Sequence, residues 1–348
     1  MSDTVDPNPL KIRNRNWQSA IFDRMPAARM SKIFINEFGR LRSGWRLVVF
    51  VLALIAVWLI LATALQGVYL LLLTIAPQLP FLRFIDKVSS LGATLGAGYL
   101  CARFLEDLPW KSLGLTIHTG WLRDLVVGSA IGFAAVVVAV AIAAGGGGLR
   151  FSFNDAATFS IGRSMLGSAV LLFVAALAEE ALFRGYPLQT LTRAKLAALG
   201  ILLTSVPFGI AHLSNPNVVP GVTFVNTVLA GLWLAVAYLR TRSLWFPLGV
   251  HWSWNWAFAW FFGLPVSGLN LTSNPLLQAS DEGPAWLTGG PYGVEGGLTG
   301  TIAMVLFTVF VWRTSWITAT PELKQLTSQE NPAVPSPVIS IRPVDDDA

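Results

Sequence analysis

The sequence predicts an all-α fold, a polytopic membrane bundle of about eight transmembrane helices. Of its 348 residues, 54% are hydrophobic and only 12% are charged, and the mean hydropathy is +0.60. A helix needs about 20 apolar residues to cross the hydrocarbon core of a bilayer. Eight runs reach or approach this length, at residues 47–76, 85–103, 124–145, 164–183, 197–213, 221–239, 244–262 and 297–312.

The segments around these runs fit the same organisation. The first run begins too far into the chain and is too long for a cleaved signal peptide, so it is predicted to stay as an anchor. Trp45 and several arginines precede it, as expected at a membrane interface. The two ends of the chain are polar. The predicted boundaries are a cytoplasmic, partly flexible N-terminal tail at 1–45, a transmembrane domain at 46–313 with its central part at 164–262, and a flexible cytoplasmic C-terminal tail at 314–348.

The distribution of Lys and Arg predicts the orientation, because cytoplasmic loops carry an excess of both. With the N-terminus inside, 20 of the 24 basic residues fall on the cytoplasmic side, and Arg83, Lys87, Arg150 and Arg163 fall outside. Both termini are therefore predicted to be cytoplasmic, in an integral, multi-pass protein of the plasma (inner) membrane if the source is bacterial. The polar segment 263–296 is predicted to lie outside.

Charge and cysteine content exclude other classes of function. The net charge of +5 is explained by this asymmetry and by attraction to anionic lipid headgroups, so membrane lipid rather than nucleic acid is the expected partner. Cys101 is the only cysteine, which excludes an intrachain disulfide and a metal cluster built on cysteines.

Two adjacent acids, Glu179 and Glu180, lie within the fourth apolar run. A carboxylate in lipid is costly unless it is paired, hydrated or protonated, so its presence indicates function. On a helix the two side chains project about 100° apart and meet different surroundings. Glu180 stands four residues before Arg184, the favourable order for an ion pair, which leaves Glu179 to face a cavity as a general base. The alternative is that both acids only hold this helix to its neighbours.

Two of the three histidines lie in apolar surroundings. His212 follows Phe208 by four residues in the fifth run, and Asn255 follows His251 by four residues in the seventh. This spacing puts each pair on one helix face. A single membrane histidine more often forms a packing hydrogen bond, but two histidines, an asparagine and a free glutamate on three runs indicate a shared site.

The remaining histidine and the tryptophans of the seventh run are predicted to stand apart from the chemistry. His118, in a polar stretch, is expected to be a solvated surface residue. Tryptophans 252, 254, 256 and 260 cannot all face one side, so most are expected to face lipid or to pack, with Trp252 or Trp256 lining a cavity.

Two arrangements of the candidate side chains are compatible with peptide hydrolysis. In one, Glu179, His212 and His251 resemble the ligands of a catalytic zinc with an open position for water. In the other, no metal is needed, because Glu179 and His212 activate a water while His251 and Asn255 donate hydrogen bonds to the oxyanion. Asn is a poor zinc ligand and a good oxyanion donor, which favours the second arrangement. The cofactor stays open between a divalent metal such as zinc and none.

One distance conflicts with both arrangements. If the fourth helix ended near Arg184 and the fifth ran straight outward from Ala197, His212 would lie about 22 Å from Glu179, at 1.5 Å per residue. The two side chains could not then share a water. We therefore expect residues 185–212 to be irregular, either as an interfacial helix after Arg184 or through a break at Pro207 and Gly209.

Together, three motifs resemble the CPBP family of intramembrane proteases, the CAAX prenyl protease and bacteriocin-processing group also called the Abi family. The motifs are EExxxR at Glu179, Glu180 and Arg184, FxxxH at Phe208 and His212, and HxxxN at His251 and Asn255. The resemblance implies a helical membrane protease with these side chains in a polar cavity. It assigns Glu179 and His212 to water activation. It assigns His251 and Asn255 to the oxyanion, in a family commonly described as metalloproteases.

The expected function is an intramembrane endopeptidase, a metalloendopeptidase by resemblance, that cuts a membrane-associated protein or peptide near the cytoplasmic side of the bilayer. The resemblance implies CAAX-type processing, in which eukaryotic members remove the C-terminal tripeptide of prenylated, hence lipidated, substrates. The alternative is a non-enzymatic transporter or scaffold in which Glu179 and the histidines relay protons or bind an ion. A transporter is expected to have inverted repeats or paired broken helices, and the sequence shows neither clearly.

Overall fold

The computed structural model describes residues 31–75 and 85–328, most of which form long helices. These are α1 (Ser43–Ile75), α2 (Ile85–Leu105), α3 (Trp121–Gly145), α4 (Thr158–Glu180), α5 (Tyr186–Arg193), α6 (Ala197–Ala211), α7 (Val222–Thr241), α8 (Trp245–Trp256), α9 (Leu298–Arg313) and α10 (Pro321–Ser328). Two π-helical segments, Ala181–Gly185 and Ala257–Phe261, extend α4 and α8. Short helical turns lie at Ser31–Phe34, Trp110–Leu113, Ala285–Thr288, Gly290–Tyr292 and Val294–Gly296. Strands β1 (Leu149–Phe153) and β2 (Leu277–Asp281) pair antiparallel.

The predicted all-helical bundle is confirmed, since a helix lies at each of the eight predicted apolar runs and the strands occur only in connections. Four helical runs of the described chain are long and apolar enough to cross a membrane, at Ser43–Leu71, Trp121–Gly145, Thr158–Arg193 and Val222–Thr241. Helices α6 and α9 are apolar but shorter. The number of eight spans therefore stays a prediction.

Successive long helices run in opposite directions, so the bundle has two ends. One, which we call the basic end, holds the start of α1, the connections 106–120, 194–196 and 242–244, and the residues after α9. The other, the capped end, holds the connections 146–157, 212–221 and 262–297, the last of which we call the cap. The cap is tied down by the β1–β2 pairing and by Asn226 of α7, whose amide donates to the Glu295 and Gly297 carbonyls at 2.9 and 3.0 Å.

Helices α3 and α8 pack with their backbones in contact. Gly128 of α3 lies against the Phe246 carbonyl, and Gly249 of α8 lies against the Leu125 carbonyl, so closely that a Cβ at either position would collide with backbone atoms. Glycine permits this approach because it has no side chain, and such contacts are typical of helix pairs in membranes. The helix that carries His251 and Asn255 is therefore fixed against its neighbour.

A ladder of tryptophans joins α8 and its π-helical extension to α4. Three indole N–H groups, spaced four residues apart, donate to three α4 carbonyls with the same spacing. The pairs are Trp252 with Ala169 (2.9 Å), Trp256 with Met165 (3.3 Å) and Trp260 with Ile161 (3.2 Å). The Trp256 and Trp260 rings also stack at 5.0 Å. These three tryptophans pack, as predicted, and set the register between the two helices that carry the motif residues.

A buried ion cluster closes the basic end. Glu106 accepts two hydrogen bonds from Arg193 at 2.9 Å and forms an ion pair with Arg46 at 3.1 Å, all three side chains being almost fully buried. Burial acts to raise the pKa of Glu106, but Arg193 and Arg46 outweigh it and hold the pKa at about 2. The cluster joins the start of α1, the end of α2 and the end of α5.

The prediction that His118 is a solvated surface residue is wrong. Its side chain is buried, with Nδ1 at 2.9 Å from the Thr119 carbonyl and Nε2 at 3.1 Å from the Ser243 hydroxyl. Ser243 lies 125 residues further along the chain, so no local pattern could indicate this contact.

Packed structure continues past residue 313, where the C-terminal tail was predicted to begin. Helix α10 follows at Pro321–Ser328, and its Leu323 and Thr327 are buried. The rest of that predicted tail, 329–348, and residues 1–30 of the predicted N-terminal tail lie outside the described residues.

Candidate active site

Glu179 and His212 are brought together by a helical hairpin whose two arms are equally long. Arg193, at the end of the first arm, comes 14 residues after Glu179, and His212 comes 15 residues after Ala197, where the second arm begins. At 1.5 Å per residue these arms measure about 21 and 22 Å. The two side chains therefore reach the same depth, with His212 Nε2 at 4.0 Å from Glu179 Oε2. The conflicting separation of about 22 Å does not arise, because the helical run continues past Arg184 to Arg193.

The irregularity predicted for this region is present, but in another form. A π-helical segment spans Ala181–Gly185, and Gly185 has a non-helical ψ of −119°. Pro187 follows, and in a regular helix its ring would clash with the carbonyl four residues earlier. The wider turn and the glycine absorb that conflict, so the helical run continues. The predicted break at Pro207 and Gly209 is wrong, because α6 stays helical through Pro207. A helix, α5, does follow Arg184 and is buried among other helices, and its place at the membrane interface stays a prediction.

A cavity of about 330 Å³ lies beside this hairpin. Glu179 of α4, His212 at the end of α6, and both His251 and Asn255 of α8 line it, as does Phe208. Glu180 and Arg184 lie behind the wall and are fully buried. The structure therefore brings all four candidate catalytic side chains to one cavity, with the three supporting residues around it.

Glu179 is the open member of the pair of acids. Its side chain is 28% exposed, and its Oε2 atom lies 4.0 Å from His212 Nε2 and 3.8 Å from His251 Nε2. This oxygen has no hydrogen-bond partner among the described residues. A water molecule fits between acceptors at these separations, since its hydrogen bonds are about 2.8 Å long.

Glu180 has a different set of partners, as the helical geometry predicted. Its Oε1 accepts a hydrogen bond from Arg184 at 3.0 Å, which confirms the predicted ion pair, and lies 2.8 Å from His251 Nδ1. Arg184 also donates to the Gly231 carbonyl at 2.9 Å, and its guanidinium lies 4.8 Å from the centre of the Phe208 ring. Glu180 thus joins α4 to α8 through His251, with a buried cation behind it.

Both histidines of the candidate site have fixed orientations. His212 Nδ1 lies 2.7 Å from the Phe208 carbonyl, and His251 Nδ1 lies 2.8 Å from the Glu180 carboxylate. Neither acceptor has a hydrogen to give, so each Nδ1 carries the proton and donates it. In the neutral ring, the Nε2 atom that faces Glu179 is then an acceptor. Any residue at position 208 would supply this carbonyl, and the Phe208 ring adds packing against the imidazole, with the two ring centroids 4.6 Å apart.

The three side chains considered as zinc ligands do not form a ready ligand set. Two ligands held at 2.0–2.1 Å by a tetrahedral zinc stand about 3.4 Å apart. The Nε2 atoms of His212 and His251 lie 4.0 and 3.8 Å from Glu179 Oε2. Within residues 31–75 and 85–328, no group of three or more His, Cys, Asp or Glu side chains is arranged to hold a metal ion.

Glu295 also lines the cavity, and no local sequence pattern indicated it. Its carboxylate accepts hydrogen bonds from the Ser267 backbone N–H, from the Ser267 hydroxyl at 2.6 Å, and from the indole of Trp254 at 3.1 Å. Trp254 itself lines the cavity, whereas Trp252 and Trp256, the predicted candidates, do not. These contacts join the cap to α8 over long stretches of sequence and leave no local pattern.

The sequence of residues 161–257 matches the family described as Type II CAAX prenyl endopeptidase Rce1-like. The match covers less than a third of the chain and includes all three motifs. No curated protein and no solved structure matches the chain. The predicted resemblance is confirmed, and the match is consistent with a CPBP family intramembrane protease. With the apolar helices, it supports an integral membrane protease that acts on a protein or peptide.

Proposed function

We propose that this chain, with its CAAX-endopeptidase-type domain, is an intramembrane endopeptidase that uses Glu179, His212, His251 and Asn255. One observation carries the proposal. Glu179 and His212 arrive from opposite arms of a hairpin at the same depth, and the Glu179 oxygen between the two histidines has no partner. A buried polar atom without a partner is costly, so it indicates a ligand position.

Water activation is the first step. A water between Glu179 Oε2 and His212 Nε2 donates one hydrogen to each. Glu179 takes a proton as the water oxygen attacks the carbonyl carbon of the peptide, while His212 holds the water in line. Glu179 then gives this proton to the leaving amine, so the site returns to its starting charge.

His251 and Asn255 stabilise the oxyanion that forms. His251 Nδ1 already donates to Glu180, so Nε2 can donate only when the ring carries both protons. In that state the buried group of Glu179, Glu180, Arg184 and His251 is electrically neutral, which a low-dielectric site favours. When Glu179 accepts the proton from water, the cluster gains one positive charge, and the negative oxyanion balances it.

The substrate is a membrane-associated protein or peptide, and CAAX-type processing of a lipidated C-terminus is the specific reaction that we propose for it. Much of the cavity wall is apolar, with Leu171, Leu172, Ala175 and Leu182 on one side. An apolar wall beside a polar reacting centre accommodates a lipid-anchored segment better than a fully hydrated peptide.

A cleavage assay with purified protein in lipid nanodiscs tests this function. The probe is an internally quenched peptide with an S-prenylated cysteine followed by three residues, compared with the same peptide without the prenyl group. We expect cleavage by the native protein, with the cut bond identified by mass spectrometry, and loss of cleavage in a folded His212→Ala variant. Full cleavage by that variant, or no cleavage by the native protein, would contradict the proposed function.

The same assay separates the two arrangements for water activation. We expect the rate to be unchanged after treatment with a strong zinc chelator and removal of the chelated metal. A loss that added zinc restores would replace the metal-free step with a metal-assisted one. The metal content of the purified protein, measured by mass spectrometry, is the independent control.

A further inference from the structure

A second carboxylate, that of Glu295, lines the cavity and comes from the cap rather than from a motif helix. The residue is half-buried, and its backbone carbonyl accepts a hydrogen bond from Asn226 of α7 at 2.9 Å. Its carboxylate lies 3.1 Å from the indole nitrogen of Trp254, which stands between His251 and Asn255 along α8. Glu295 is therefore fixed beside the helix that carries the proposed oxyanion donors.

The Glu295 carboxylate accepts three hydrogen bonds. Oε1 accepts two, from the Ser267 backbone N–H and from the Ser267 hydroxyl at 2.6 Å, and Oε2 accepts one, from the Trp254 indole at 3.1 Å. A carboxylate surrounded by donors carries a negative charge, because the ionised form only accepts, and it has about four acceptor positions in all. Oε2 therefore keeps a position for one more donor.

The turn at Ser267 is held in a strained conformation that aims its N–H at this carboxylate. Ser267 has a φ of +49°, in the left-handed region that a residue with a Cβ rarely adopts, and Gly268 follows at +80°. A Cβ on Gly268 would lie 1.9 Å from the Pro216 carbonyl oxygen, so glycine is required there. Strained backbone persists only where its surroundings hold it. The two hydrogen bonds to Glu295 give that support, and they fix the carboxylate in turn.

No cation of the described chain is paired with this negative charge. Glu295 forms no ion pair within residues 31–75 and 85–328. Among the described residues, Lys87 is the only Lys or Arg that lines the cavity, and its side chain is exposed. The proposed catalytic group with doubly protonated His251 is neutral by itself, so it does not balance Glu295 either. The cavity therefore presents an unpaired carboxylate to the substrate.

Aromatic rings lie beside this carboxylate. Trp254 and Trp233 both line the cavity, and their ring centroids are 5.5 Å apart. The face of an indole ring attracts a cation, and a carboxylate forms its strongest hydrogen bonds with charged donors. Together these groups suit an ammonium or guanidinium group. A neutral side chain gains only from the rings, and an acidic one is repelled by Glu295.

From these contacts we infer that Glu295 is a specificity-determining residue, which binds a Lys or Arg side chain of the substrate. This role rests on the proposed function and deepens it, because it names the class of peptide that the site prefers. The cationic residue lies close to the bond that is cut, since Trp254, which binds Glu295, directly precedes Asn255. Its charged donors occupy the remaining acceptor position of Oε2.

A series of peptides tests the preference with the native protein in nanodiscs. The probe is the prenylated quenched peptide, with Lys, norleucine or Glu placed in turn at each residue that flanks the prenylated cysteine. At one of these positions we expect Lys to raise kcat/KM about tenfold over norleucine, the size of one hydrogen bond to a charged group, and Glu to lower it. Equal values for Lys and norleucine at every position would overturn the inference.

Glu295→Gln tests whether this carboxylate causes the preference. The amide has the same size without the charge, so the ratio of kcat/KM for the Lys peptide to that for the norleucine peptide should fall to about one. A ratio measured on one preparation does not depend on the folded fraction, so a loosened cap cannot imitate this result. Glu282→Gln, at a cap carboxylate that does not line the cavity, is the matched control and should keep the native ratio. A native ratio in Glu295→Gln would refute the assignment.

Failure of this role and failure of the proposed function give different results. If the native protein cuts none of the peptides, the proposed function fails. Fluorescence anisotropy of the same labelled peptides then measures the preference as a ratio of Kd values. Tighter binding of the Lys peptide that disappears in Glu295→Gln supports the cation site, and equal Kd values for the Lys and norleucine peptides overturn it.

Discussion

Two carboxylates within the bundle, Glu106 and Glu179, have opposite kinds of surroundings. Glu106 at the basic end has both oxygens bound by arginines and is fully buried. Glu179 faces a cavity, and its Oε2 has no partner. A single helical run, Thr158–Arg193, links the two carboxylates: it carries Glu179, and Arg193 at its end binds Glu106. The difference teaches that a carboxylate saturated by cations contributes to stability, whereas one left unsaturated beside a cavity is available for chemistry.

The largest effect is expected for Glu179→Gln. The amide cannot accept a proton from water, so cleavage of the prenylated peptide should fall by at least about 10³-fold, within the range of general-base catalysis. The free energy of unfolding should change much less than in a Glu106 variant, because Glu179 Oε2 accepts no hydrogen bond from the described residues. Initial rates and denaturant unfolding in mixed micelles measure the two quantities.

The control is Glu282→Gln, at an exposed carboxylate paired with Arg150 at 2.8 Å. It should change neither the rate nor the stability appreciably. If Glu179→Gln lowered stability and rate together, Glu179 would belong with Glu106 as a structural residue.

The next effect is expected for Glu106→Gln, the same substitution in the closed cluster. It leaves Arg46 and Arg193 buried without their carboxylate, so the free energy of unfolding should fall by about 3 kcal/mol. The rate per folded molecule should stay close to the native rate, because the cluster lies far from the cavity. A large fall in kcat with unchanged stability would contradict the division between the two clusters.

Lowering the pH should reduce the free energy of unfolding through Glu106. The pKa of Glu106 is lowered from 4.5 to about 2, so its stabilisation is complete above pH 4.5 and is lost as the pH falls toward 2. Between pH 7 and pH 3 the native protein should lose about 2 kcal/mol more than Glu106→Gln, which lacks this group. Unfolding of both proteins at pH 7, 5 and 3 measures the difference. A constant gap between them across this range would show that Glu106 is not held ionised by the arginines.

The smallest effect is expected in the tryptophan ladder that positions α8 on α4. Trp256→Phe removes one indole hydrogen bond to the Met165 carbonyl and keeps most of the ring, so stability should fall by about 1 kcal/mol. Trp286→Phe, at an exposed position of the cap, is the matched control and should cost less. Equal losses in the two variants would mean that the ladder adds nothing beyond ring burial.

The sequence could predict what depends on local spacing. The four-residue intervals placed Glu180 with Arg184, Phe208 with His212 and His251 with Asn255, and each pair is found on one helix face. Apolar runs located the long helices because lipid demands about 20 apolar residues per span.

The depth of His212 relative to Glu179 could not be predicted from the sequence. A proline such as Pro187 is expected to end or kink a helix. Only the packed structure shows that a π-helical turn lets the helix continue to Arg193. Contacts between distant segments were missed for the same reason. His118 with Ser243, and Glu295 with Ser267 and Trp254, depend on how the connections fold over the helix ends.

The backbone contact between α3 and α8 has a consequence for how the site adapts to different substrates. With glycines of both helices pressed against the partner's carbonyls, α8 can neither slide nor roll without collision. His251 and Asn255 thus form an immobile half of the cavity, in place before a peptide arrives. Tolerance for bulkier substrates therefore depends on the other walls of the cavity, and the geometry around the proposed oxyanion position stays the same for every substrate.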